Sequence, residues 1–372
     1  MNPEVKKRLL ECGYDYGFES PRFESTDTYP DFIKETVEKG IAKIKKAENE
    51  NTFTFAFMTD IHYLELPHHD VLLARNANAY RQIEKETGCT KLILGGDYII
   101  DSPREKKAKG YANLKKAFAD FDYFPCNGNH DNGNLWDSFM EREKPFDKFT
   151  RKEVYDAFYS DLSARGAKFN EKKEHGLYYY VDDDKTKVRY ICLDICNPPD
   201  YYDEILGWDT TFGQDQIDWL INVALDTEYD IIINTHSVLR PIGMTDEQKA
   251  KSYSFRLEIL NFIVDAYKKN EKLSGTFYED DFKVTIDTDF GKKPHGEIIA
   301  VMVGHFHTDY LMTSESGIPY IATANLLLAE CHVERELGCE KELLFDVVTV
   351  DRKARKITVT RIGAGNDRSI DY

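Results

Sequence analysis

What ends the apolar runs of this chain constrains it more than any other feature. FTFAFM, residues 53–58, runs into Thr59-Asp60-Ile61-His62. KLIL, 91–94, runs into Gly95-Gly96-Asp97, and YFPC, 123–126, into Asn127-Gly128-Asn129-His130-Asp131. DIIIN, 230–234, runs into Thr235-His236-Ser237, and EIIAVMV, 297–303, into Gly304-His305-Phe306-His307. Short runs of this kind read as buried strands. Each of the five finishes in residues that bind metals or move protons. In open α/β sheets, ligand sites form outside the carboxyl ends of the strands. Strands lying side by side would bring all five clusters to one rim, with glycines at 95, 96, 128 and 304 letting the backbone turn beside it.

The rest of the chain alternates strand-like and helical patterns, which reads as α/β with a mixed sheet. Asp31 is placed to cap a helix whose apolar residues Phe32, Val37, Ile41 and Ile44 recur at helical spacing. Residues 1–50 read as an irregular N-terminal arm with this helix, and 51–372 as the main domain. Thr150-Arg-Lys-Glu153 is a capping box, followed by the stripe Val154, Phe158, Leu162. Ile217, Leu220, Ile221 and Ala224 form another stripe. GLYYYV and KVRYICLDI pair as a hairpin over 177–195. Residues 240–296 read as an insertion with a helix over 255–267, and 343–362 as a C-terminal β-hairpin. His68 and His69 are read as loop residues after the first motif. The run Arg361-Ile-Gly-Ala-Gly-Asn-Asp-Arg368 is read as a structural turn with a surface ion pair.

A net charge of −17 argues against a groove that tracks nucleic-acid phosphates. The N-terminus lacks the apolar core of a signal peptide, and no run approaches the roughly 20 apolar residues of a membrane span. The 7 cysteines are scattered and odd in number, so they read as reduced core thiols, and the expected location is the cytoplasm.

Taken in order, Asp-x-His, Gly-Asp, Gly-Asn-His-Asp, a lone His and Gly-His-x-His resemble the pattern of the calcineurin-like metallophosphoesterase family. The segment Gly213-Gln-Asp-Gln216-Ile-Asp-Trp219-Leu220 is also similar to the helix that precedes the lone-His strand there. One position departs: Ile100 stands where many members carry a second Asp, and Asp101 follows it. The resemblance implies a two-sheet mixed β sandwich flanked by helices in four layers. It implies two divalent or mixed-valence metal ions, for which imidazole and carboxylate suit manganese, iron or zinc. Asp60, His62 and His307 would hold the first ion, Asn129, His236 and His305 the second, and Asp97 would bridge them. The pair would polarise a phosphate ester and activate a water for in-line attack on phosphorus. His130, next to Asn129 on an extended backbone, would face the substrate and protonate the departing oxygen or steady the developing charge, with Asp131 orienting its imidazole. The implied substrate is a small phosphate monoester or diester. A nuclease and a non-catalytic metal-binding scaffold are the rival readings. Acidity disfavours the first, and the presence of all seven candidate ligands disfavours the second.

Overall fold

The computed structural model describes residues 30–63, 67–100, 104–131, 149–197, 210–240, 245, 254–278, 282–326, 333–336 and 338–372. Asp101 and residues 1–29 of the expected arm lie outside them. Among the described residues the first strands are β1 (Thr52–Met58), β2 (Cys89–Leu94), β3 (Tyr123–Pro125), β4 (Lys168–Phe169), β5 (Tyr179–Asp183), β6 (Val188–Cys192), β7 (Cys196–Asn197) and β8 (Thr211–Phe212). The others are β9 (Asp230–Thr235), β10 (Lys272–Phe277), β11 (Val284–Asp289), β12 (Ile298–Val303), β13 (Tyr310–Thr313), β14 (Pro319–Ala322), β15 (Leu344–Asp351), β16 (Lys356–Gly363) and β17 (Arg368–Asp371).

They form two large sheets, ordered β17-β16-β15-β1-β2-β3 and β13-β14-β12-β9-β6-β5-β4. The five motif-bearing runs therefore do not lie side by side in one sheet. β1, β2 and β3 run parallel in the first, and β9 and β12 run parallel in the second. Strands buried on both faces carry near-continuous apolar sequence. β12, for example, is buried from Ile298 to Val303. Successive side chains still alternate in direction. Ile232 faces the first sheet, in one core with Phe55, Leu92 and Tyr190. Ile231 and Ile233 face outward into a second core with Ile217, Leu260 and Val264.

Helices complete the layers. Asp31–Ala47, Pro67–Glu86 and Arg104–Phe118 contribute Ile33, Val37, Leu72, Tyr80 and Leu114 to the first core. Gln214–Trp219 and Glu258–Lys269 cover the second sheet. The architecture is helix, sheet, sheet, helix. No described helix is long and apolar enough to cross a membrane.

Several local expectations change. Pro30, not Asp31, occupies the cap of the first helix, and the buried stripe is Ile33, Val37, Ile41 and Ile44. Asp31 sits in the first turn, where a carboxylate suits the positive end of the helix. His68 and His69 fall in the first turn of Pro67–Glu86 instead of a loop. The Thr150–Glu153 capping box forms, and Val154, Phe158 and Leu162 are buried, but the helix widens into a π-type turn over Tyr155–Tyr159. The glycine-rich tail returns as the edge strand β17. Its arginines are not on the surface: Arg361 is buried, with Nε 2.8 Å from Asp346 and Nη2 2.7 Å from Asp309. Arg368 pairs with Asp346 and donates to the Ala322 carbonyl.

Candidate metal centre

The two sheets are hydrogen-bonded to each other where their parallel strands end. Asn234 Nδ2 donates to the Leu94 carbonyl at 3.2 Å. His236 Nδ1 lies 2.7 Å from the Gly95 carbonyl, a contact in which the imidazole donates and which turns Nε2 inward. The His305 amide donates to both oxygens of Asp60, at 3.1 and 2.9 Å. A methyl group at Gly304 would run into the side chains of Thr59 and Asp60, and one at Gly128 into Asp97. Glycine at these two places is what allows the sheets to close.

The closure gathers donors into overlapping groups whose ligand atoms lie within 4.8 Å of one another: Asp60, His62 and His307; His62, Asp97 and His130; Asp97, His236 and His305. Asp60 Oδ1 stands 3.2 Å from His307 Nε2 and 3.7 Å from His62 Nε2. Asp97 Oδ2 stands 3.0 Å from His236 Nε2 and 3.8 Å from His62 Nε2, between the two halves of the set. Asn129, between Gly128 and His130, is buried, and among the described residues neither atom of its amide has a hydrogen-bond partner. A buried amide left unpaired is expensive unless something else takes its oxygen. Carboxylates, imidazoles and one amide oxygen, with no thiolate, fit manganese, iron or zinc. No cysteine belongs to these groups among the described residues, and burial pushes the Cys126 and Cys196 thiols well above their ordinary pKa.

The electrostatics are those of a matched set. Burial raises the Asp60 pKa, but the imidazoles of His236, His307 and His62 outweigh it and hold the carboxyl well below its usual range. Asp97 is likewise held down, against burial, by His236 and His130. Burial lowers His62 and, with the neighbouring His236, lowers His305 to about 3.

The backbone is unusual here. Asp60, His62, Asp97, His305 and His307 have φ of 52, 45, 53, 69 and 50°. Left-handed conformations cost a non-glycine residue on the order of 1–3 kcal/mol each and persist where the surroundings over-determine them. The surroundings do so. The amides of Asp60, His62 and Tyr63 donate to the carbonyls of Gly96, Asp97 and Tyr98, at 3.0, 2.9 and 2.9 Å, lacing the first two motif loops together.

All nine residues singled out from sequence meet at this place, but one has a different task. Asp131 is fully buried, and its carboxylate accepts from three amides. Oδ2 takes Asp97 N at 3.0 Å and Gly128 N at 2.7 Å, and Oδ1 takes Tyr98 N at 2.7 Å. Asp131 thus ties two motif loops together; it is not positioned as the partner that orients His130. Burial and the Asp97 charge push its pKa up to about 7, against the amides of Gly128 and Tyr98. Among the described residues, a carboxylate near His130 is that of Asp97. Its Oδ1 accepts the His130 amide at 2.8 Å, and its Oδ2 is 3.9 Å from the ring Nε2.

Supporting residues escaped the sequence reading. Thr59 Oγ1 donates to Asp60 at 2.6 Å. Asp194, just past β6, accepts from Asn127 Nδ2 at 2.9 Å and Arg151 Nη1 at 2.6 Å, bracing the Gly-Asn-His-Asp loop. The signal was present: KVRYICLDI is a sixth apolar run with an acidic residue near its end.

The sequence profile of the calcineurin-like phosphoesterase family matches residues 53–309. No curated protein matches the chain. Among solved structures, a dimetal phosphatase from Danio rerio is similar at 13% identity, with 86% of this chain and 99% of that one covered and a TM-score of 0.54, a likeness of fold. A phosphopantetheinyl hydrolase from Mycobacterium tuberculosis aligns at 10% identity over 74% of this chain and 91% of its own, with a TM-score of 0.34. GAP50, described as the anchor in the inner membrane complex of Plasmodium, aligns at 13% identity over 87% and 89%, with a TM-score of 0.43.

Proposed function

The chain belongs to the calcineurin-like phosphoesterase family, and we propose that it hydrolyses small phosphate esters at a pair of metal ions. The carrying observation is the convergence of Asp60, His62 and His307 on one side and His236 and His305 on the other, with Asp97 between them. In this reading Asp60, His62 and His307 would hold one ion, Asn129, His236 and His305 would hold the other, and Asp97 would serve both. The chemistry supplied by two divalent ions bound there would be polarisation of phosphoryl oxygens and a lowered pKa for water near neutral pH.

The chain's own residues do the rest. Asn129 contributes a neutral oxygen, so only two carboxylates offset the cationic charge and the site attracts an anion. His130, held by its amide on Asp97 Oδ1, protonates the departing oxygen from its ring. The Asp131 tie keeps the Asp97 and Gly128 backbones in register, so that the bridge and His130 keep their places. The net charge of −17 repels long nucleic acid and leaves this site for a small substrate. The buried, protonated thiols suit a reducing compartment such as the cytoplasm.

Protein reconstituted with manganese should cleave nitrophenyl monoesters or diesters, and Asp97→Ala should lose both the turnover and at least one of the two ions by elemental analysis. Two bound ions in the parent with no turnover of any phosphate ester would overturn the hydrolytic reading.

A further inference from the structure

Arg240 stands four residues past His236, at the end of a loop pinned in place. Thr235 Oγ1 donates to the Ser237 carbonyl at 3.1 Å, and Asn261 Nδ2 donates to the Leu239 carbonyl at 3.0 Å. Val238 and Leu239 are each 1% exposed. Arg240 itself is exposed, and the anchored loop fixes where it starts. Its guanidinium lies 5.6 Å from the ring centroid of Phe306 and 5.7 Å from that of Tyr310. Phe306 is the residue between His305 and His307, and its ring is 5.4 Å from the His305 ring. Two ring contacts in series therefore connect a ligand-type imidazole to an exposed cation.

Among the described residues no carboxylate pairs with Arg240, in a chain with 66 acidic and 49 basic residues. Arg151, Arg189, Arg352 and Arg361, by contrast, each pair with an aspartate. An aromatic face steadies a guanidinium electrostatically without consuming its N–H groups. The planar fork of donors stays available for an oxyanion, which it can grip in bidentate fashion.

We infer that Arg240 forms a second anion subsite beside the metal centre, and that the substrate carries, besides the phosphoryl group that is cleaved, a further phosphate or carboxylate that this arginine holds. The inference rests on the phosphoester reading and narrows its substrate class to phosphate esters with two anionic groups. Arg240 is here a specificity residue and takes no part in the bond-breaking step.

The test is binding to the full chain with manganese in excess, by calorimetry, with inorganic phosphate and two probes whose P–C bonds resist hydrolysis, methylenediphosphonate and 3-phosphonopropionate. Arg240→Ala should weaken at least one two-anion probe about 10- to 100-fold, the worth of a charged hydrogen bond, and change phosphate less than about twofold. The probe that suffers more tells a second phosphate from a carboxylate. Arg240→Lys should restore only part of the loss, because a point charge replaces a fork. Equal weakening of all three probes, or of none, overturns the subsite. Selective weakening in a protein that turns over no ester would keep the subsite and sink the hydrolytic reading; turnover with no selectivity would do the reverse.

Discussion

Replacing Asp131 separates two tasks for one carboxylate. If it oriented the His130 ring, Asp131→Asn would keep the fold and lose turnover. The structure instead places three buried amides on it, two on Oδ2 and one on Oδ1. An asparagine can keep the Asp97 and Gly128 amides on its carbonyl, but its NH₂ then meets the Tyr98 N–H, donor against donor. One buried donor left unsatisfied costs about 1–3 kcal/mol, so Asp131→Asn should destabilise by that amount. Asp131→Ala abandons all three amides and should cost about 3 kcal/mol or more by the same reckoning. Equilibrium urea unfolding with chelator present reads this directly, because metal binding then adds nothing to the stability. Metal content should fall in Asp131→Ala, where the Asp97 backbone loses its tether. An Asp131→Asn protein with unchanged urea midpoint and full metal content, yet without turnover, would refute the tether and restore the orienting role.

His130→Asn should retain its metal and lose about 10²- to 10⁴-fold in turnover, more for alkyl than for nitrophenyl esters; equal losses in the two rate ratios would mean that the ring stabilises charge at phosphorus instead. Arg361→Met should destabilise by about 3–5 kcal/mol at neutral pH, because it leaves Asp346 buried with a partner removed. Burial raises the Asp346 pKa, and Arg361 and Arg368 more than reverse this. Its stabilisation is therefore present above the unfolded value of about 3.9 and is lost as pH falls through the lower folded value. Urea midpoints should accordingly show the gap between parent and variant closing only below about pH 4, and a gap independent of pH would contradict the pairing. Duplex DNA should not bind in an anisotropy titration at moderate salt; submicromolar affinity with a steep salt slope would contradict the small-substrate reading.

The motif ends of the five runs were legible because a donor placed directly after an apolar strand has few other reasons to be there. The sheet to which each strand belongs was not. FTFAFM and DIIIN are both continuous apolar runs, and nothing local says that one pairs with Leu344–Asp351 and the other with Val188–Cys192. The left-handed turns at Asp60, His62 and Asp97 were also hidden, since the chain places side chains where glycine would be the usual signal. Asp131 was misread because adjacency in sequence stood in for adjacency in space; the turn after Asn129 sends its carboxylate back to Tyr98 instead of along to His130. Arg361 and Arg368 looked superficial in a glycine-rich run, and only the pairing of β15 with β16 sets Asp346 opposite Arg361. The Thr150 capping box was readable because both of its partners lie within one turn.

The His305 amide that clasps Asp60 comes 245 residues later in the chain, and β1 has β15 as its antiparallel neighbour. During synthesis, the ribosome delivers the first three donor loops long before the last two. Through that interval FTFAFM has one flank open, an apolar edge of the kind that recruits foreign strands. Closing contacts of such long range demands the ordering of most of the chain before it returns any stability. A nascent chain can therefore show metal only a partial set of donors. Loading belongs after His307 has been made, and a cell that makes this protein quickly depends on keeping that edge covered until Leu344–Asp351 arrives.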